Sequence, residues 1–235
     1  MDLSLVLPTY NEQANIVSVI ADAETELVKL GRTWEILVVD NFSQDQTVEI
    51  VETYAKTHPN IRIVGHRENR LYSGSCQTAI EEARGQYVAI MDSDGQYASA
   101  DIKRFLDKMG DANLVFGWRK NRKDPVARLL MSKVFNRLGT FRIRFPFHDL
   151  NCGFRMFDRE FIKHVKLTHR INMSNPEIYV RAKLAGLRMD ELEVAHFNRE
   201  QGASSHNFFR LWQLFSEVNQ YFKSLGADLK SNLKG

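Results

Sequence analysis

The chain has 235 residues, 43% hydrophobic and 26% charged, enough for one large globular domain or two small ones around a shared core. Its 32 Lys and Arg against 29 Asp and Glu leave a formal +3, and with no clustered basic stripe or binding motif this excludes a nucleic-acid partner. Cys76 and Cys152 stand without a CxxC or Cys/His pattern, so we expect two buried thiols in a reducing cytoplasm rather than a zinc site or disulfide framework.

Asp2 stands where a signal peptide needs basic residues, and the apolar run that follows is a short strand stopped by Pro8. No apolar run reaches the ~18 residues of a membrane span. Leu3 to Leu7 reads as a buried strand. Glu12 to Leu30 has helical spacing, with Ile16, Val19, Ile20, Ala23 and Leu27 on one face and Gly31 as the stop. A strand over Glu35 to Val39 ends at Asp40, a helix follows over Gln46 to Lys56, and a third strand covers Ile61 to Val64. Helical spacing returns from Gly74 to Arg84, and a fourth strand, Tyr87 to Met91, runs into Asp92. Continuous apolar strands separated by amphipathic helices predict an α/β fold with a parallel sheet covered on both faces.

The second half is less regular. Leu114 to Gly117 is a strand leading to Trp118 and Arg119, and the basic stretch Lys120 to Arg128 reads as a loop. A helix over Val126 to Leu138, a turn into a strand over Asp149 to Phe157, a helix over Pro176 to Ala185 and a short strand over Leu192 to Val194 complete the domain. Beyond it, Phe208, Leu211, Phe215, Val218, Phe222 and Leu225 recur at spacings of three and four, with Trp212, Leu214 and Tyr221 widening the face of an amphipathic helix. Such a face either packs on its own domain or docks on a membrane or partner surface, the second reading drawing on its aromatic residues and on Arg210 and Lys223.

Ligands of parallel sheets bind beyond the carboxyl ends of the strands. Three of those ends are polar here: Pro8-Thr9-Tyr10-Asn11-Glu12, Asp40-Asn41-Phe42-Ser43 and Asp92-Ser93-Asp94-Gly95-Gln96. Each alone is compatible with helix capping. Together on one edge they point to a site. Asp92 and Asp94, with Gln96 two residues on, are the oxygen ligands that a hard cation such as Mg²⁺ or Mn²⁺ takes alongside phosphate oxygens.

At these residues the chain resembles family 2 of the glycosyltransferases, in the branch of dolichyl-phosphate mannose synthases and bacterial polyprenyl-phosphate sugar transferases. The resemblance extends over about residues 3 to 206, through the loop at Pro8 to Glu12, Val39 to Thr47, the Asp92-Ser93-Asp94 element, Asn151-Cys152-Gly153-Phe154-Arg155 preceded by Asp149, and His196 to Ser205. It implies a GT-A, Rossmann-like fold over residues 1–206, with the helix and polar tail of residues 207–235 appended. It implies an inverting, divalent-metal-dependent transfer from a GDP- or UDP-sugar to a polyprenyl phosphate or glycan intermediate.

The resemblance also assigns roles. Pro8, Tyr10, Glu12, Val39, Asn41, Asp92, Ser93, Asp94, Arg119 and Arg199 would bind the nucleotide sugar, Asp92, Asp94 and Gln96 would hold Mg²⁺ or Mn²⁺, and Arg119 and Arg199 would contact phosphate. Asp94, Asp149, Glu177, Arg119, Arg155 and Arg199 form the expected catalytic set. A lipid-phosphate acceptor needs no strong base, whereas a hydroxyl acceptor would need Asp149 or Glu177. Each of those carboxylates has a plainer reading, an ion pair to Arg155 or Arg181 respectively. Asn41 stands where the family usually has a second Asp, and Ser205 where the mannose branch has Lys, which leaves base and sugar open. His196, His206 and His148 are further candidates near phosphate or acceptor. A cytoplasmic location, peripheral to the membrane through residues 207–225, is expected. The competing functions are a sugar nucleotidyltransferase and a non-catalytic nucleotide-sugar-binding scaffold of a membrane glycosylation complex.

Overall fold

The computed structural model of the chain describes residues 1–120, 122, 126–168, 173–199 and 211–232. The expected β/α alternation is present as β1 (Leu3–Thr9), α1 (Ile16–Lys29), β2 (Trp34–Asp40), α2 (Thr47–Ala55), β3 (Ile61–Gly65), α3 (Leu71–Glu82) and β4 (Tyr87–Ile90). There follow α4 (Asp101–Lys108), β5 (Leu114–Arg119), α5 (Val126–Ile143), β6 (Arg155–Asp158), α6 (Arg159–His164), α7 (Asn175–Leu184), β7 (Met189–Val194) and α8 (Leu211–Asn232). The short helices α4 and α6 are additions to the sequence reading. Two bounds moved with consequences: α1 begins at Ile16 and leaves Glu12 in a loop, and α3 begins at Leu71, bringing Tyr72 into its first turn.

The strands form a seven-stranded sheet in the order β3-β2-β1-β4-β6-β5-β7, parallel except for β6, which runs antiparallel to both β4 and β5. β1 and β2 are buried along their whole length, as continuous apolar strands between two helical layers must be. Their register places Thr9 beside Asp40, so the loops that follow leave the sheet side by side. One hydrophobic cluster lies on each face of the sheet. The first joins Val6, Ile90, Phe116 and Phe157 to α3, α5, α7 and α8, and the second joins Leu5, Val38 and Val115 to α1 and α4. Cys76 and Cys152 are buried and unbridged.

α8 decides the question its sequence left open. Val218, Tyr221, Phe222, Leu225 and Leu229 are buried in the first cluster. The helix reaches closely onto α5, because a Cβ at Gly226 would press on the Arg142 carbonyl and one at Gly139 would approach the Phe222 ring. The apolar stripe expected to meet a membrane or partner is therefore filled by the protein's own core at these positions. Phe208, Arg210 and the rest of residues 207–210 lie outside the described residues, as do Gln201 to His206.

Candidate active site

The loops after β1 and β2 are tied together by side chains meeting backbone. Asn11 N–H donates to Ser43 Oγ at 2.9 Å, Glu12 N–H to Thr47 Oγ1 at 2.9 Å, Gln44 N–H to Asn11 Oδ1 at 2.7 Å and Gln46 N–H to Gln13 Oε1 at 3.0 Å. Asn11 sits at φ 54°, a left-handed conformation that its short amide tolerates. Asp40 caps the turn that follows by accepting from Phe42 and Ser43 N–H at 3.1 and 3.0 Å. One rigid platform results, with Tyr10 exposed on its rim and Pro8 beneath, the Pro8 carbonyl accepting from Ser93 Oγ at 2.9 Å.

Ser93 thus anchors the acidic turn to the platform. Asp92 lies directly over Gly153: a Cβ there would overlap the Asp92 carboxylate, so only glycine permits this approach. The Tyr72 hydroxyl donates to Asp92 Oδ1 at 2.8 Å. Asp94, two residues on, turns into the same space. Burial, and then the charge of Asp92, push its carboxyl up to about 6 from the usual 3.8. Two carboxylates that repel one another, one braced by a tyrosine and over a cradle that excludes a side chain, are the donor set a Mg²⁺ or Mn²⁺ ion takes when phosphate oxygens complete its shell. Gln96 instead donates its side-chain amide to the Phe197 carbonyl at 3.0 Å, and its backbone carbonyl accepts from Phe197 N–H at 2.9 Å. It stitches the 196–199 segment to the acidic turn.

That stitch carries Arg199 across the cleft. Arg199 Nη2 donates to both carboxylate oxygens of Glu12, at 2.8 and 3.0 Å, and Nη1 lies 3.7 Å from Asp94 Oδ2. Glu12 and Arg199, far apart in the chain, therefore meet beside Asp94. Burial raises the Glu12 carboxyl, against the opposing pull of Asn15 and Arg199. His196 is buried and packs edge-on against Tyr97 at 5.6 Å.

On the far side of the acidic turn Arg119 and Asp149 make a buried bidentate pair. Arg119 Nε and Nη2 donate to the two Asp149 oxygens at 2.7 and 3.1 Å, and Arg119 is also fixed to the Asn151 carbonyl at 3.1 Å. Burial works to raise the Asp149 carboxyl, but Arg119 and Arg122 together bring it below the usual carboxylate range. A carboxylate so held is a weak proton acceptor. Its expected partner was Arg155; the ion pair is made with Arg119 instead, because Arg155 belongs to β6 and points into the core. Substituting Asp149 by Ala should leave the Arg119 charge buried and uncompensated, costing about 3–5 kcal/mol. Chemical denaturation of the variant checks this, and a cost below about 1 kcal/mol would contradict the pairing.

Three other assigned residues stand elsewhere than expected. Arg155 is fully buried, its Nη2 donating to Cys76 Sγ at 2.7 Å and Ser174 Oγ at 3.1 Å, with the guanidinium over the Tyr72 ring at 5.6 Å. It braces the tyrosine that holds Asp92. Glu177 is fully buried at the start of α7, accepting from Thr168 N–H and Oγ1–H at 2.7 Å each, with Arg181 at 3.4 Å, the partner its plainer reading named. Val39 is fully buried among core residues. Asn41 accepts from Arg70 N–H at 2.8 Å, shares Oδ1 with His66 Nδ1 at 3.0 Å and donates to Asn69 Oδ1 at 3.0 Å. Its amide oxygen is occupied twice over by the loop after β3. His148 pairs with Glu191 at 2.6 Å and stacks on Trp118.

Tyr72, Gly153 in its cradle role and the Asn41–His66 link were not singled out from sequence. The glycine lay inside a quoted motif, but its reason, the approach of Asp92, is a tertiary contact.

A mixed sheet with paired acidic residues at the carboxyl edge, a polar platform over β1 and β2 and arginines on both sides defines a GT-A glycosyltransferase fold. The chain belongs to glycosyl transferase family 2, whose family model matches residues 4–166. It is 29% identical over 222 residues to a dodecaprenyl-phosphate galacturonate synthase of Rhizobium johnstonii, covering 93% of this chain and 65% of that protein. It is 30% identical over 212 residues to a dolichyl-phosphate beta-glucosyltransferase of Trichomonas vaginalis, covering 82% of this chain and 64% of the relative. The chain thus spans slightly less than two thirds of the length of these relatives. Among solved structures, glucosyl-3-phosphoglycerate synthase from Mycobacterium tuberculosis with Mn²⁺, UDP-glucose and phosphoglyceric acid superimposes with a TM-score of 0.69 at 18% identity, over 96% of this chain and 80% of that one. A mannosyltransferase from Pyrobaculum calidifontis with GDP-Man and Mn²⁺ gives 0.61 at 19%, over 97% and 73%. At such identities these two speak for the fold.

Proposed function

We propose that the chain transfers a sugar from a nucleoside-diphosphate donor to a polyprenyl phosphate, with inversion and with Mg²⁺ or Mn²⁺ bound. The observation that carries this reading is the convergence of Asp92, seated over Gly153, with Asp94 and its neighbour Arg199 at the carboxyl edge of the sheet. The names of the two relatives supply the acceptor class.

Asp92 and Asp94 would hold the cation, which when bound offsets charge on the departing diphosphate. Tyr72 and Gly153 keep Asp92 in place for that task. Arg199, already beside Asp94, would exchange its contact with Glu12 for a phosphate oxygen, freeing Glu12 toward the ribose. Arg119, its fork fixed by Asp149, stands ready for the acceptor phosphate or the leaving diphosphate. Since a phosphate acceptor is anionic, attack needs no base, in keeping with an Asp149 whose carboxyl is held low. The doubly occupied oxygen of Asn41 leaves Tyr10 and the backbone of the first two loops to contact the base.

A thermal-shift panel of GDP, UDP, CDP and dTDP with and without Mn²⁺ should single out one nucleotide with a metal-dependent rise, by linkage. The corresponding nucleotide sugar should then label a polyprenyl phosphate. No shift with any nucleotide would favour a scaffold, and pyrophosphate release from a nucleoside triphosphate and sugar phosphate would favour a nucleotidyltransferase; either would overturn the proposal.

A further inference from the structure

The turn after β2 holds a bulky residue where the backbone favours none. Phe42 sits at φ 71°, in the left-handed region that glycine enters freely and an aromatic residue enters only with strain. Hydrogen bonds keep it there. Phe42 N–H and Ser43 N–H both donate to Oδ2 of the buried Asp40, at 3.1 and 3.0 Å, and the Phe42 carbonyl accepts from Gln44 Nε2 at 3.0 Å. The ring does not compensate by packing: it is 44% exposed, and among the described residues it makes no ring stacking or cation contact. A strained turn that holds an apolar ring in solvent gains nothing from burial, and strain of this kind gathers where a ligand is met.

The position of the ring indicates the ligand. Thr9 lies beside Asp40 in the sheet register, and Asn11 N–H donates to Ser43 Oγ at 2.9 Å, so Tyr10 and Phe42 are bracketed by the same two ties on adjacent loops. Tyr10 is likewise exposed and makes no ring stacking among the described residues. Between them in the chain stands Asn41, whose amide oxygen accepts from Arg70 N–H and His66 Nδ1 and whose Nδ2 donates to Asn69 Oδ1. The edge of a base therefore finds no free acceptor in that side chain. Its face remains, and the faces of bases bind aromatic rings.

We infer that Phe42 stacks on the nucleobase of the donor, and that the left-handed turn is kept in order to present the ring. The inference rests on the proposed function, which brings a nucleoside diphosphate to Asp92 and Asp94, and it makes Phe42 a binding residue for the base alone. Neither the diphosphate nor the cation depends on it.

The test is titration calorimetry of the full chain with GDP, UDP, CDP and dTDP in the presence of Mn²⁺, on wild type, Phe42→Leu, Phe42→Gly and Phe42→Trp. For the nucleotide that wild type binds best, Phe42→Leu and Phe42→Gly should weaken affinity about tenfold, and Phe42→Trp should retain it, because a larger ring still stacks where an aliphatic side chain cannot. Phe42→Gly should also melt about 1–4 °C above wild type without ligand, since glycine takes the left-handed φ without strain. Higher stability with lower affinity is a pairing that a merely structural phenylalanine would not give. In Phe42→Trp the emission of the added indole, corrected by the wild-type signal, should be quenched by the nucleotide and not by pyrophosphate, which has no base. Unchanged affinity in Phe42→Leu, no quenching by the nucleotide, or a Phe42→Gly variant that melts below wild type overturns the inference and leaves the proposed function standing. A wild type that binds none of the four nucleotides overturns both.

Discussion

Asp94→Asn is expected to remove metal-dependent nucleotide binding and lower transfer by about a thousandfold or more, while making the unliganded protein more stable at neutral pH. The two effects share one cause. Asp94 is buried beside Asp92, and its carboxyl stands near 6 in the fold against 3.8 when unconstrained. For an acid with a raised folded value, the stabilising contribution is complete below about pH 4, where both states are protonated, and is lost as pH rises through about 6. Above that the folded state carries a charge that its surroundings disfavour. That rise, in which the opposing pull of Arg199 is already contained, bounds the penalty near 3 kcal/mol, and partial solvent access reduces it to about 1–2 kcal/mol.

The asparagine variant escapes the penalty, so its melting temperature should exceed that of wild type by about 2–6 °C at pH 7.5 and by little at pH 4.5. Calorimetry in chelator at both pH values measures this directly. A variant less stable than wild type at pH 7.5 would show that Asp94 is held for stability and not for a ligand. Added Mn²⁺ and nucleotide should reverse the order, raising wild type alone.

Gly153→Ala tests the cradle. The Gly153 backbone is held on two sides, its N–H donating to the Tyr97 hydroxyl at 3.0 Å and its carbonyl lying 3.5 Å from the Tyr72 hydroxyl. It has little room to retreat from an added methyl. The Asp92 carboxylate must move instead, breaking its 2.8 Å hydrogen bond from Tyr72 and its alignment with Asp94. Overpacking of this kind costs about 1–3 kcal/mol, and nucleotide–metal affinity should fall by about a hundredfold. The double variant Asp92→Ala/Gly153→Ala removes the clash, so it should melt higher than Gly153→Ala alone, a coupling that a double-mutant cycle isolates. Additive losses in the cycle would place the two residues out of contact and reject the cradle.

Much of this molecule follows from local pattern. Leu5 to Leu7, Ile36 to Val39 and Tyr87 to Met91 are apolar without interruption, and such runs between amphipathic helices can be satisfied only inside a parallel sheet covered on both sides. Polar residues at the ends of those strands then had to share an edge. Asp92 and Asp94 were legible because their spacing and their place after a buried strand are local properties.

What escaped was each contact whose partners are distant in sequence. Helical periodicity placed the start of α3 at Gly74, because Arg70, Leu71 and Tyr72 carry no capping signal; Tyr72 was missed for that reason. Arg155 read as a site residue from its motif, yet β6 inserts antiparallel between β4 and β5 and turns its side chain beneath the tyrosine. The stripe on α8 was recognisable as apolar, but amphipathicity says only that a face will be covered, and packing against α5 and α7 chose the cover.

The sequence by itself determined the alternation of strands and helices, the edge where chemistry gathers and the carboxylates at its centre, because each depends on residues within one turn or one strand. Only the tertiary structure decided that Glu12 faces Arg199, that Asp149 holds Arg119 instead of Arg155, that Gly153 makes room for Asp92 and that Val218, Phe222 and Leu225 of α8 are buried in the core. Those outcomes depend on which strands pair and which helices compete for the same apolar surface, and that competition is settled by burial summed over the whole chain.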